Sequence, residues 1–343
     1  MLYSNLIRPL LFKLPAETAH DITIRQLELL QNSYLGRGLI KLLSGHVESN
    51  PVQVMGLNFR HPVGLAAGLD KDAKVIRGLF QMGFSHIEVG TLTPKGQPGN
   101  DKPRLFRLKE DDALINRMGF NNEGSIAASR RLKKRDPNWG VVGGNVGRNK
   151  ITNNENAIDD YIASMSHLRD YVDYFTVNIS SPNTPGLREL QQEEVLKNLL
   201  TRISDDNSKS FKPRPLAVKI SPDLSKQEVQ SISRLAVTCG FNGIIGTNTT
   251  VNRAGLKTKA NRIEDAGPGG LSGRPLARHS TDVVAWIKEA VGDSAAVIGV
   301  GGVFNAQDVI DKRNAGADLV QIYSGFVYNG PSMLNNIQEA WIK

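Results

Sequence analysis

Cysteine is almost missing from this chain: Cys239 is the only one in 343 residues, so no intramolecular disulfide can form and a reducing compartment is the default. No cysteine–histidine cluster has the spacing of zinc ligands, and no metal site is expected. No apolar run approaches the ~20 residues of a membrane-spanning helix, and the N-terminus lacks the apolar stretch of a signal peptide. Low-complexity tracts and short-period repeats are absent as well. What remains is ordinary for a globular protein, with 40% hydrophobic, 6% aromatic and 22% charged residues. The length is large for one core, but an α/β barrel carries about 250 residues as a single domain.

The net charge of +8 fits an anionic ligand, an anionic membrane surface or nucleic acid. Basic residues are spread along the chain apart from Arg130-Arg-Leu-Lys-Lys-Arg135, which reads as the wet face of a helix, so nucleic acid is disfavoured. Residues 1–45 form short amphipathic helical segments with Leu2, Ile7, Leu10, Leu11 and Leu14, then Ile22, Leu27 and Leu30, then 39–43. They either cap the main domain or lie in a membrane interface with Arg8, Lys13 and Arg37 toward anionic head groups. Residues 52–60 read as a hairpin leading into the main domain, 46–343.

From residue 63 strand-like runs alternate with helix-like ones. The strands are expected at 63–67, 86–90, 141–146, 175–179, 216–220, 243–247, 296–300 and 319–323. Helical patterns are expected at 72–82, 157–171, 193–203, 226–238, 281–290 and 306–315. That alternation predicts βαβ units, and eight of them predict an α/β fold, a (β/α)8 TIM barrel with a small N-terminal helical extension. An open sheet of eight strands is the alternative.

In a barrel of this kind the chemistry sits at the C-terminal ends of the strands. Those ends carry Ala67-Gly-Leu-Asp-Lys71, Gly90-Thr-Leu-Thr-Pro94, Asn145, Asn178-Ile-Ser-Ser-Pro-Asn-Thr184, Lys219, Thr247-Asn-Thr-Thr250, Gly299-Val-Gly-Gly302 and Tyr323-Ser-Gly325. Each alone suits an ordinary turn; together they describe one polar mouth. Gly301, Gly302 and Gly325 follow strands seven and eight, where backbone amides commonly hold a phosphate. Lys219 interrupts an apolar strand, and a buried ammonium is costly unless an anion meets it. The excursion 95–122 is long enough for a lid or a surface ornament. The segment 267–275 either approaches a cofactor or serves as a linker.

Six segments, Ala66-Ala-Gly-Leu-Asp-Lys-Asp72, Gly99-Asn-Asp-Lys-Pro-Arg-Leu-Phe-Arg107, Asn116-Arg-Met-Gly-Phe-Asn121, 178–188, Gly270-Leu-Ser-Gly-Arg-Pro-Leu276 and Gln321-Ile-Tyr-Ser-Gly325, resemble those of the dihydroorotate dehydrogenase family. They are similar to its membrane-associated, quinone-using class, in the bacterial form. The resemblance spans nearly the whole chain. It implies an FMN enzyme of pyrimidine biosynthesis that oxidises dihydroorotate to orotate. It implies that Ala67, Gly68, Leu69, Asp70, Lys71, Thr91, Asn145, Asn178, Lys219, Thr247, Gly273, Gly302, Tyr323 and Ser324 hold FMN. Lys71, Asn116, Arg117, Met118, Gly119, Phe120, Asn178, Asn183, Asn248 and Thr249 would then bind the substrate. Uncharged amides match a ring with fixed donors and acceptors.

The same resemblance selects Ser181 as catalytic base, where strand parity leaves Ser180 and Ser181 open. Thr184 and a water would relay the proton, and Phe120 would shield the site. It places His20, Arg107 and Tyr323 along a quinone tunnel and makes 1–45 a membrane-docking unit. The expected location is the cytoplasmic face of the inner membrane, peripherally bound, as a monomer. Two other readings exist: an FMN barrel that reduces uridine in transfer RNA, and a non-catalytic phosphate-binding barrel on a membrane surface.

Overall fold

The computed structural model describes residues 2–45 and 47–342. Eight parallel strands close into a barrel: β1 Val63–Leu65, β2 His86–Leu92, β3 Val141–Val146, β4 Tyr174–Asn178, β5 Leu216–Ile220, β6 Gly243–Gly246, β7 Ala296–Val300 and β8 Leu319–Ile322. They pair in sequence order, and β8 returns to β1 through Val320↔Val63, Gln321↔Gly64 and Ile322↔Leu65. An open sheet is thereby excluded. Every strand is buried along almost its whole length, as a sheet covered on both faces requires.

The two faces divide by parity. Outward residues such as Ile87, Val89, Val142, Phe175, Val177 and Val218 pack against the surrounding helices. These helices bury one stripe each; Lys226–Thr238 buries Val229, Ile232, Ser233 and Ala236, three and four residues apart. Its start is fixed by a capping box in which Ser225 and Glu228 exchange hydrogen bonds, and Asn305 and Asp308 do the same for Ala306–Asn314. Inward residues fill the lower barrel with Tyr174, Ala217, Ile245, Ile298 and Leu319. The hairpin Val52–Val54/Leu57–Phe59, paired Val52↔Phe59, plugs that end with Val54, Met55 and Phe59.

Both expected excursions turn out to be parts of one feature. Leu105–Leu108, Ala113–Asn116 and Gly270–Gly273 form a three-stranded antiparallel sheet, with Gly270↔Asn116 and Leu105↔Asn116 in register. The segment 267–275 is therefore a strand edge and not a linker. Two predicted helices start elsewhere: 72–82 is helical only over Ile76–Gln81, and 281–290 begins earlier, as Ala277–Val291.

Ahead of the barrel, Ala16–Gln31 and Tyr34–Ser44 are α-helices, preceded by helical turns Tyr3–Ile7 and Arg8–Leu11. Ser33 caps the second by accepting from the Gly36 N–H at 2.9 Å. The first docks on Ile76–Gln81: Gln31 donates to the Lys74 carbonyl at 2.6 Å and accepts from the Gly78 N–H at 3.0 Å.

Candidate active site

Inward parity carries polar side chains toward the C-terminal end of the barrel, where one cleft opens. Ala67, Gly68 and Lys71 line it after β1, Thr91 on β2, Asn178 and Ser181 on and after β4, and Lys219 on β5. Thr247, Asn248 and Thr249 follow β6, Gly301 and Gly302 follow β7, and Tyr323 and Ser324 follow β8. The three-stranded sheet and its neighbouring turn add Asn116, Met118, Gly119, Phe120, Ser272 and Gly273, while Asn183 comes from the loop after β4. The excursion 95–122 thus forms a wall of the mouth.

The polar groups are tied to one another. Asn178 Nδ2 donates to Thr91 Oγ1 at 2.9 Å, Asn248 Nδ2 to Asn178 Oδ1 at 3.2 Å, and Asn183 Nδ2 to Asn116 Oδ1 at 3.0 Å. Of the two serines that parity left open, Ser181 faces the cleft. Ser180 is buried away from it, its hydroxyl bonded to Asn178 Oδ1 at 3.2 Å and to Asn248 Nδ2 at 3.0 Å. The Ser181 hydroxyl accepts from the Asn183 N–H at 3.2 Å, and the buried Thr184 Oγ1 has no partner among the described residues.

Electrostatically, burial depresses the Lys219 ammonium, and the charge of Glu88 opposes that shift. Lys219 has no hydrogen-bond acceptor among the described residues, so an anionic or electron-rich group is the partner its position suits. Burial also lowers Lys71, and it raises the Tyr323 phenol to about 12. At Gly302 the backbone has φ +72°, and a Cβ would sit 2.2 Å from Ala277 Cα, at the start of Ala277–Val291. Only glycine fits where these two backbones meet.

Several expected residues stand back from the cleft. Asn145 lies behind Thr91, accepting its hydroxyl at 2.6 Å. The Asp70 carboxylate accepts the Lys74 and Val75 N–H groups, both at 2.8 Å, and burial raises its pKa to about 6. Leu69 packs against the core, and Arg117 turns away to the Ala266 carbonyl and the Phe106 ring.

The three expected quinone residues do not share one cavity. His20 borders a smaller pocket with Glu17, Ile24, Leu69 and Asn121; Lys71 and Met118 are walls of both this pocket and the main cleft. Burial, with the Lys71 charge second, pushes the His20 imidazole down to about 3. Arg107 lies over the Phe12 ring and donates to the Leu14 carbonyl at 2.9 Å. Tyr323 lies in the main cleft.

Sequence reasoning passed over Glu88, Ser272 and Gln321 as site residues. Glu88 is, like Lys219, a charge inside a strand, but its strand also carries His86 and Thr91, so it stands out less. Ser272 gave no signal, because its partner Ser324, 2.8 Å away, is 52 residues distant in sequence.

A family model described as dihydroorotate dehydrogenase matches residues 50–342. A protein of Christiangramia forsetii named "Dihydroorotate dehydrogenase (quinone)" is 48% identical over 98% of both chains. One of the same name from Arthrobacter is 46% identical over 92% of this chain and 91% of its own. Among solved structures, ligand-free DHODH of Eimeria tenella superposes with a TM-score of 0.81 at 35% identity, covering 90% of this chain and 93% of its own. With the matched region spanning the barrel and its mouth, the chain belongs to the dihydroorotate dehydrogenase family of oxidoreductases.

Proposed function

We propose that this chain oxidises dihydroorotate to orotate in pyrimidine biosynthesis, with FMN as the hydride acceptor and a membrane quinone as the final electron acceptor. The carrying observation is that Ser181, four asparagines, Lys219 and Gly302 converge on one cleft from different strands and the three-stranded sheet. The relatives named for the quinone-dependent reaction match this chain over nearly its full length. The residues present suit FMN. A phosphate would lie against Gly302 and Ser324, and the unmatched Lys219 ammonium would face the electron-rich end of the ring. Bound there, FMN supplies hydride acceptance and passes electrons on to quinone.

The protein's own share is orientation and proton removal. Asn116, Asn178, Asn183, Asn248 and Thr249 fix the substrate ring and its carboxylate. Ser181 Oγ takes the carbon-bound proton, and its own proton leaves by way of Thr184 and a water. The unpartnered Thr184 Oγ1 supports such a relay. Phe120 shields the site from bulk water. Cys239, which a thiol-based mechanism would need, sits instead at the end of Lys226–Thr238 beside Thr201.

The residues 2–45 dock peripherally on the cytoplasmic face of the inner membrane and admit quinone past His20 and Arg107 toward Tyr323. Exposed leucines on these helices support that role, and among the described residues no helix is long and apolar enough to cross a membrane. The test is spectroscopic. The purified protein should carry a flavin absorbance that dihydroorotate bleaches and a short-chain quinone restores. A colourless protein that binds no FMN, or a flavin unmoved by dihydroorotate, overturns the proposal.

A further inference from the structure

An asparagine side chain offers a donor at one end and an acceptor at the other, and its shape does not say which end meets a ligand. The cleft is lined by such amides, and beneath them lies Glu88, wholly buried on β2. A carboxylate only accepts, so each amide that touches it must turn its NH2 group downward. Asn145 Nδ2 donates to Glu88 Oε1 at 2.6 Å, Gln321 Nε2 to Oε2 at 2.8 Å, and the Tyr174 hydroxyl to Oε2 at 3.2 Å.

The consequence propagates upward. With its NH2 committed, Asn145 shows only Oδ1 to the mouth, where it accepts from Thr91 Oγ1 at 2.6 Å and Asn178 Nδ2 at 3.3 Å. Thr91, its proton committed, accepts from Asn178 Nδ2 at 2.9 Å. Asn178 presents Oδ1 on its far side, where the Ser180 N–H donates to it at 3.3 Å and Asn248 Nδ2 at 3.2 Å. Asn248 Oδ1 is left to the Thr249 N–H at 2.8 Å. Reversing any one amide would set two donors or two acceptors against each other. A carboxylate in this place is costly as mere filling, since the lower barrel packs well with aliphatic side chains.

We propose that Glu88 is a positioning residue for substrate recognition: its carboxylate holds Asn145 with its acceptor toward Thr91 and Asn178, matching the sense that the Ser180 and Thr249 N–H groups give Asn178 and Asn248, and so keeps one hydrogen-bonding face turned to a planar ring. The inference rests on the reading of the cleft as the dihydroorotate site and goes one layer below it. An amide in place of this carboxylate would present both kinds of group and let Asn145 turn its NH2 toward Asn178 Nδ2, whose own sense the Ser180 N–H holds, so that two donors would oppose each other. A ligand with a fixed pattern would then meet the matching face only part of the time.

Orotate binding to the flavin-loaded protein, followed by calorimetry with flavin content measured in parallel, tests this. E88Q should lose about tenfold or more in orotate affinity. In E88Q/N145D the acceptor-only group moves up one place, the new amide beneath it can donate to it, and Asn178 must still donate as before. Orotate affinity should therefore recover to within about threefold of the wild type. A purely structural role for Glu88 predicts the opposite, a second loss added to the first. Wild-type affinity in E88Q, or additive losses in the pair, overturns the inference. Should E88Q alone fail to fold, the double variant decides: binding close to wild type supports the inference and its loss overturns it. If the wild type itself binds no orotate, the proposed function falls and this inference with it; binding by the wild type and equally by E88Q removes the inference alone.

Discussion

The barrel and the N-terminal helices treat apolar side chains in opposite ways. Every barrel strand is buried on both faces, and the exposed large apolar residues outside 2–45, such as Ile126, Ile151 and Phe211, are scattered. On the N-terminal helices, by contrast, Leu2, Leu6, Leu10, Leu29, Tyr34, Leu35, Leu39 and Leu42 all face outward. Tyr34–Ser44 shows the division within one helix: Gly36, Ile40 and Ser44 are buried at a spacing of four, while Leu35 is 83% and Leu42 78% exposed. Exposed apolar side chains gathered on one short part of the chain suit the membrane docking proposed for it, where isolated exposed residues need no explanation. The barrel carries chemistry on a rigid ring; the helices carry a surface that water does not favour. A buried ion pair joins the two: Arg104, beside the mouth, meets Glu17 of Ala16–Gln31 at 2.8 Å.

Four measurements would break or sharpen that contrast. Ser181→Ala should slow flavin reduction by dihydroorotate about 10²–10⁴-fold in stopped flow while leaving reoxidation by quinone unchanged. An undiminished rate would remove the chemistry assigned to the barrel mouth. Arg104→Met leaves Glu17, only 12% exposed, with Lys102 alone at 3.3 Å and takes the donor from the Pro98 and Asn100 carbonyls, and should cost about 3 kcal/mol in denaturant unfolding. Burial works to raise Glu17, and the Arg104 and Lys102 contacts hold it below the usual range, so that pair is the tie being cut. Leu35→Glu with Leu42→Glu should lower binding to anionic vesicles roughly 100-fold and leave flavin reduction by dihydroorotate intact. Equal vesicle binding would sink the docking role.

The smallest effect concerns the barrel's lower end. Burial lowers His86 to about 3 and His61 to about 4, so the native state holds both neutral where the unfolded chain, with pKa near 6.5, takes up protons. A group depressed in this way contributes stability above the unfolded pKa and loses it as pH falls. Each should remove about 1.4 kcal/mol per pH unit between roughly pH 6 and pH 4. His86→Leu should take away about half of that slope in melts recorded across the range.

Much of this was legible in advance. The alternation of strands and helices predicted the barrel, and the break in the apolar run Leu216–Ile220 singled out Lys219 as a group in need of an anion. The order of polar tips located the mouth. The role of 95–122 was not legible, because its strand Ala113–Asn116 has its partner at Gly270–Gly273, more than 150 residues away. Nor could parity separate Ser180 from Ser181 once the strand had ended.

Sequence by itself determined the element order, the one lysine that breaks an apolar strand and the apolar helices at the N-terminus, because periodicity and residue type are local properties. Only the tertiary structure decided which amide faces which, that Glu88 lies under the asparagines, and that the His20 pocket shares Lys71 and Met118 with the main cleft. Those facts depend on closing β8 onto β1, and side chains brought together by that closure leave no trace in the spacing along the chain.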